Sequence, residues 1–378
     1  MIAICPFCRT RHDVPDTDPT SGLTCASCHR RFAARRQPAT AASEATPSLM
    51  RIERPHGVFD RPLVVARQAT ALAATAETAP LPEPPEEAEA PFLAEPDAAE
   101  ERAAKAALSA IRRQIAAAAP APRPAAEPDS PTTRRLGVML SKGGVGKTTT
   151  AVNLAAALAK AGKRTLIIDA DTQGQAAYAL GLTPPCGLAE LVDGTASPDK
   201  ALFPARDNLW LLAGGKALAG LKRLITRKDF GGERTLADAL AFLDARFDVV
   251  VVDCAPGWDA LSVNVLFYVG ELLVPVALEA MSLQGFSEFL QSFAAVSRYR
   301  PQLRLSYIVP TFLDKRVRGP AALHEELAAL YPDTICPAIR YNAKLSEAPA
   351  AGQTIFEFAP RSPGAQDYAA LAARVAQG

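Results

Sequence analysis

"RLGVMLSKGGVGKTTTAVNLAAALAKAG" occupies residues 135–162, and its three parts differ in kind. "RLGVML" (135–140) is apolar and rich in branched side chains, the composition of a strand buried on both faces. "SKGGVGK" (141–147) follows, with three glycines where the chain must turn sharply. "KTTTAVNLAAALAKAG" (147–162) is rich in helix formers and stops at Gly162, a residue suited to a helix C-terminus. Strand, glycine turn and helix start form the setting in which backbone N–H groups converge on an anion at the positive end of a helix. The pattern predicts a phosphate cradle made of Gly143, Gly144, Val145, Gly146 and Thr149, with Lys147 on the β/γ-phosphates of a nucleotide and the Thr148 hydroxyl on Mg²⁺. The usual expression begins with Gly six residues before Lys147, where this chain has Ser141. A second lysine, Lys142, stands at the entrance of the same loop.

Working outward, "RTLIID" (164–169), "FDVVVVD" (247–253), "ELLVPVAL" (271–278) and "LRLSYIVPTF" (303–312) repeat the short apolar run of 135–140, separated by helical stretches. Strand–helix alternation over residues 132–378 predicts an α/β domain with a doubly wound, mostly parallel sheet. Two of the runs end in carboxylates. "IIDADTQGQA" (167–176) offers Asp169 and Asp171, and "VVVVDCAPG" (249–257) offers Asp253. Strand ends are where open α/β sheets place ligand-binding side chains.

The form x-K-G-G-x-G-K-T-T around Lys142 and Lys147 is similar to the deviant Walker A motif of the ParA/MinD group of ATPases. The resemblance implies that Lys142 reaches the nucleotide of a partner in an ATP-dependent sandwich homodimer, and that Lys142, Lys147 and Asp171 carry catalysis. It implies Asp171 on the attacking water, and Asp169 and Asp253 in the Mg²⁺ shell with Thr148. The group usually has Pro and Asn where this chain has Thr172 and Gln175, a departure that bears on switch-loop geometry. "NLWLLAGG" (208–215), "LEAMSLQGFSEFL" (278–290), "PTFLDKRVRG" (310–319) and "NAKLSEAPAAGQTIFEFAPRSPGAQDYAALA" (342–372) extend the resemblance to the ParA-type partition ATPases over 134–376. Asn342 then matches a position near the adenine. Arg316 and Lys344 match positions where that group contacts DNA without sequence specificity, and Lys315, Arg318 and Arg340 are candidates to widen the patch. A ParB-like or adaptor protein that stimulates hydrolysis is the implied partner. MinD-type relatives end in a basic amphipathic membrane helix. This chain ends "DYAALAARVAQG", so no membrane docking is expected.

Upstream, "CPFC" (5–8) and "CASC" (25–28) give two C-x₂-C pairs, the spacing of a Cys₄ zinc ribbon over residues 1–36 with Cys5, Cys8, Cys25 and Cys28 on Zn²⁺. An iron–sulfur or redox role is the alternative, and His12 and His29 are read as bystanders. Residues 37–131 are dominated by Ala, Pro and Glu and read as a disordered linker. Inside it "ERAAKAALSAIRRQIAAAA" (100–118) places Ala107, Leu108, Ile111 and Ile115 on one helical face. It is read as a transient helix, with a docked helix as the alternative.

Net charge is +1, which excludes a strongly basic body that binds nucleic acid by bulk charge. No secretory leader or apolar run of membrane-spanning length is apparent, so the expected location is cytoplasmic and nucleoid-associated. Three function classes follow. The leading one is a partition or cargo-positioning ATPase. The others are a metal-cluster carrier or reductase of the same ATPase group, and an ATP-dependent amide ligase of the same fold.

Overall fold

The computed structural model describes residues 97–117, 133–314 and 316–377, together with the backbone of four short strands between residues 2 and 32. It divides into two compact units, Met1–Leu81 and Pro82–Gly378. In the first, β1 (Ile2–Ile4) pairs antiparallel with β2 (Arg11–Asp13), and β3 (Leu23–Thr24) with β4 (Arg31–Phe32). By sequence, Cys5 and Cys8 fall between β1 and β2, and Cys25 and Cys28 between β3 and β4. The four cysteines lie outside the described residues, as does the expected linker apart from residues 97–117.

The second unit is built on a seven-stranded sheet. Its strands are β5 (Arg134–Val138), β6 (Thr165–Ala170), β7 (Leu202–Arg206), β8 (Leu209–Leu212), β9 (Val249–Cys254), β10 (Glu271–Ala277) and β11 (Arg304–Thr311). The order is β11-β10-β5-β9-β6-β8-β7, parallel throughout except for the β7–β8 edge pair. The mostly parallel, doubly wound sheet expected from the alternation therefore forms. Along β9, Val250 and Val252 enter one core while Val249 and Val251 enter another, so burial on both faces accounts for the unbroken valine run. The β7–β8 pair was not anticipated. β7 reads "LFPAR", partly exposed and with Pro204 inside it, which marks an edge strand rather than a core one.

The helices that matter below are α1 (Ala98–Ala117), α2 (Lys147–Lys160), α3 (Ala260–Tyr268), α4 (Ala280–Ser297), α5 (Arg318–Leu330) and α6 (Pro363–Ala376). The C-terminal segment clamps α2: the Thr150 hydroxyl lies 3.2 Å from the Tyr368 hydroxyl, and Asn153 Oδ1 accepts from the Ile355 N–H at 2.8 Å. At the opposite end of the sheet Arg134 forks onto Glu271, with Nε–Oε1 at 3.0 Å and Nη2–Oε2 at 2.9 Å, and so ties β5 to β10.

The reading of residues 100–118 as a transient helix is corrected. A helix forms over Ala98–Ala117, and Ala104, Ala107, Leu108 and Ile111 are buried in the core that also holds Phe286 and Phe289 of α4. Gln114 Nε2 donates to Ser287 Oγ at 3.0 Å, and Asp97 Oδ1 accepts from the N–H groups of Ala99 and Glu100, at 2.8 Å each. The apolar stripe is thin because half of it is alanine, and alanine lets α1 approach α4 closely. Ile115, expected on that stripe, is 36% exposed. Ile111→Ala should therefore cost about 2–4 kcal/mol in denaturant unfolding, and Ile115→Ala no more than about 0.5 kcal/mol. Equal, negligible losses would return α1 to the linker.

Candidate functional site

The site is assembled at the carboxyl ends of β5, β6 and β9. Val138 pairs with Asp253, and Asp253 with Asp169, so the three strand ends are level. The loop from β5 into α2 turns at Gly146, whose φ of +85° is one that L side chains rarely adopt. Val145, expected to offer its N–H to the cradle, has a buried side chain, and its carbonyl accepts from the Thr311 hydroxyl at 3.1 Å. It anchors the loop to β11.

The two lysines occupy different environments. Lys147 opens α2, is only 8% exposed, and donates from Nζ to the Lys142 carbonyl at 2.6 Å. Burial lowers its pKa, opposed by the nearby acidic groups Asp253, Cys254 and Asp171. Lys142 is partly exposed and its ammonium enters no ion pair among the described residues. Its stem lies against α4 at Gly285, where an added Cβ would stand 3.2 Å from Lys142 Cβ.

The carboxylates also divide. Asp169 is fully buried; Oδ1 accepts from the Asp171 N–H at 2.9 Å and Oδ2 from the Ala176 N–H at 3.0 Å. Burial raises its pKa to about 6, against the pull of those two bonds. Asp169, expected in the metal shell, thus spends both oxygens on holding the 171–176 loop. Asp253 is the reverse case. Both of its oxygens are buried with no hydrogen-bond partner among the described residues. Burial, then Asp169 and Asp171, push its pKa well up, while the Thr148 hydroxyl and Lys147 pull it down. An orphaned carboxylate beside a hydroxyl and a second carboxylate is a hard-oxygen donor set, and it fits Mg²⁺.

That arrangement fixes a pH dependence. A carboxyl whose folded pKa is raised stabilises the fold below its unfolded pKa, and that contribution is lost as pH rises through the folded value. Without metal or nucleotide, Asp253→Asn should therefore melt higher than the parent protein at neutral pH, with the gap closing toward pH 4. Added Mg²⁺ and ADP should raise the melting point of the parent and not of the variant. A gap that does not change with pH would show that Asp253 is compensated.

A cavity of about 460 Å³ opens over these groups, within the roughly 300–1,000 Å³ usual for small-molecule sites. Its lining brings together Gly143, Gly144, Gly146, Lys147, Thr148, Thr149, Asp171 and Asn342. Asn342 also caps the short helix Ala343–Glu347, its Oδ1 accepting from the Lys344 N–H at 2.8 Å. Gln175, Pro256, Phe312, Tyr341 and Pro349 line the cavity as well and were not anticipated. Gly214 was missed too: an added Cβ would lie 2.6 Å from the Asp169 carbonyl and 2.7 Å from that of Asp171, so the loop closes only over a bare backbone.

The expected basic patch is less uniform than the sequence suggests. Arg340 is committed to Asp367 of α6, with Nη2–Oδ1 at 2.7 Å and Nε–Oδ2 at 3.0 Å, and it acts as a clamp. Arg316 pairs with Asp314 at 2.7 Å, and Lys344 with Glu347 at 3.0 Å. Lys315 and the Arg318 side chain lie outside the described residues. Among the described residues no group of three or more His, Cys, Asp or Glu side chains could hold a metal ion, and no helix is long and apolar enough to cross a membrane.

Comparison with known proteins follows the same boundaries. A family model described as "AAA domain" matches residues 133–305. The chromosome-partitioning ATPase Soj of Thermus thermophilus is 36% identical over 244 residues, which cover 64% of this chain and 95% of that protein. The sporulation initiation inhibitor protein Soj of Bacillus subtilis is 34% identical over 241 residues, covering 62% and 95%. Among solved structures, cobyrinic acid a,c-diamide synthase of Mycobacterium smegmatis with bound ADP and magnesium superposes with a TM-score of 0.56 at 31% identity, covering 65% of this chain and 94% of that one.

Proposed function

The chain belongs to the ParA/Soj/MinD-type P-loop ATPases, and from that membership we propose that it is a partition or cargo-positioning ATPase whose ATP-bound homodimer rides nonspecific DNA and is released by partner-stimulated hydrolysis. The observation that carries this reading is the division between the lysines. Lys147 is sunk in the loop and lines the nucleotide cavity, whereas Lys142 is partly exposed, is not among the residues that line it, and its ammonium enters no ion pair among the described residues. A nucleotide held by one chain alone needs only the first.

In this reading the cavity takes ATP, with the loop N–H groups and Lys147 on the phosphates and Asn342 near the base. Thr148 and Asp253 would hold Mg²⁺, which supplies charge neutralisation on the β/γ-phosphates. Asp169 keeps the 171–176 loop in place, and Asp171 orients the attacking water. Lys142 completes the neighbour's site. Arg316 and Lys344 face DNA phosphates, exchanging their present carboxylate partners, with Lys315 and Arg318 beside them; a dimer doubles the set. Arg340 is left out, because its clamp on Asp367 holds the C-terminal helix. A ParB-like or adaptor protein triggers hydrolysis, and the place of action is the nucleoid.

We also assign Cys5, Cys8, Cys25 and Cys28 to a structural zinc. The support is that each C-x₂-C pair falls in the connection of one antiparallel strand pair, the position of a zinc knuckle. One zinc and no iron per chain by elemental analysis is the expected result. Iron would favour the metal-cluster carrier reading.

The test of the main proposal is binding to nonspecific duplex DNA with ATP, ADP or no nucleotide across a salt series. Binding should require ATP, weaken steeply with salt, and fall at least about tenfold in the Arg316→Ala/Lys344→Ala double variant. No DNA binding in any nucleotide state would overturn it. ATP turnover stimulated by a small carboxylic acid rather than by DNA would favour the amide-ligase reading.

A further inference from the structure

A second cavity, of about 430 Å³, lies between α1, α5 and the end of β10. Its walls are apolar, with Ala277, Leu278, Val317, Pro320 and Leu323 among them, but its rim carries Glu100, Glu101, Glu279 and Glu326, with Lys105 as the one cation lining it among the described residues. None of these four carboxylates enters an ion pair among the described residues. The cleft exists only because α1 is docked, and α1 lies upstream of the matched domain at 133–305. Phe312 and Tyr341 line both this cleft and the nucleotide cavity. Phe312 has a φ of +58°, an unusual conformation for a bulky side chain, and is 39% exposed. Its ring tip would stand 3.7 Å from a Cβ added at Gly146 in the phosphate loop.

We propose that this cleft is a docking site for a short cationic amphipathic segment of a partner protein, and that its occupancy is coupled to the nucleotide cavity through the shared wall of Phe312 and Tyr341. The apolar walls take one or two aliphatic or aromatic side chains, and the carboxylate rim takes flanking lysines or arginines. A segment pressed against Phe312 and a phosphate group beside Gly146 act on one ring from its two sides. Whatever factor nucleotide applies to peptide affinity, peptide must apply to nucleotide affinity. The proposal uses nucleotide binding only and does not depend on DNA binding.

The test uses the full chain and a short fluorescein-labelled peptide alternating Leu with Lys and Arg, followed by anisotropy at physiological salt. A Leu/Glu peptide of the same length is the control. The cationic peptide should bind and the acidic one should not. Glu100→Lys/Glu101→Lys removes rim charge on an exposed helix face, and Ala322→Trp fills the cleft; each should weaken binding at least about tenfold. Peptide affinity should differ between ATP and nucleotide-free protein, and Phe312→Leu at saturating ATP should bring the ratio toward one. Unchanged affinity in both cleft variants would overturn the site, as would equal binding of the acidic peptide. Equal affinity in every nucleotide state would overturn the coupling. Loss of self-association in Ala322→Trp, with peptide binding intact, would make the cleft a face between two copies of this chain and overturn the proposed occupant.

Discussion

Lys147→Ala should lose nucleotide binding almost completely while leaving the fold intact. Lys147 is 8% exposed in the loop, and its one hydrogen-bond partner among the described residues is the Lys142 carbonyl at 2.6 Å. Desolvation already lowers its pKa, so the fold gains little from it without a phosphate. Its removal relieves a buried charge in the free protein and deprives the bound phosphates of their nearest cation. Removing one partner of a buried charge pair costs about 2–5 kcal/mol, or roughly 30-fold to several-thousand-fold in affinity. Equilibrium binding of a fluorescent ATP analogue, together with a melting curve, checks both halves. A large drop in melting point without nucleotide would show Lys147 to be a structural residue and would undo the assignment. Tight binding in the variant would do so as well.

Lys142→Ala should give the opposite profile. Its side chain lines no part of the chain's own cavity and has no ion-pair partner among the described residues, so nucleotide affinity should change by less than about threefold, within the range of an exposed charge. ATP-dependent dimerisation, read by sedimentation, should be lost, and partner- or DNA-stimulated hydrolysis should fall by about 100-fold or more. Monomeric basal turnover would be the only activity left. Persistence of ATP-dependent dimers in this variant would refute the sandwich arrangement. Together the two variants separate holding a nucleotide from sharing it.

Much of this was legible along the chain. Five apolar runs became β5, β6, β9, β10 and β11 with boundaries shifted by one or two residues, because a strand buried on both faces has nowhere to place a polar side chain. The phosphate loop was legible because its parts are adjacent in sequence, and glycine is required where φ is positive, as at Gly146. The edge pair β7–β8 escaped because an edge strand is only half buried and carries a weak pattern. The fate of α1 escaped for a related reason. Its stripe of Ala104, Ala107, Leu108 and Ile111 is too thin to signal burial, and only Phe286 and Phe289 on α4 make it a core face.

The sequence by itself determined the α/β class, the strand–loop–helix cradle and the acidic residues at the strand ends, because each is written in local spacing. Only the tertiary structure decided what each charge does. It spent both oxygens of Asp169 on backbone N–H groups and left those of Asp253 orphaned, although the two are level in adjacent strands. It tied Arg340 to Asp367, and it set Phe312 between two cavities. The physical reason is common to all of these. Hydrogen bonding and desolvation depend on which groups the folded backbone brings together, whether two and seven residues apart, as for Asp169, or 27 apart, as for Arg340 and Asp367, and residue spacing alone does not say which groups meet.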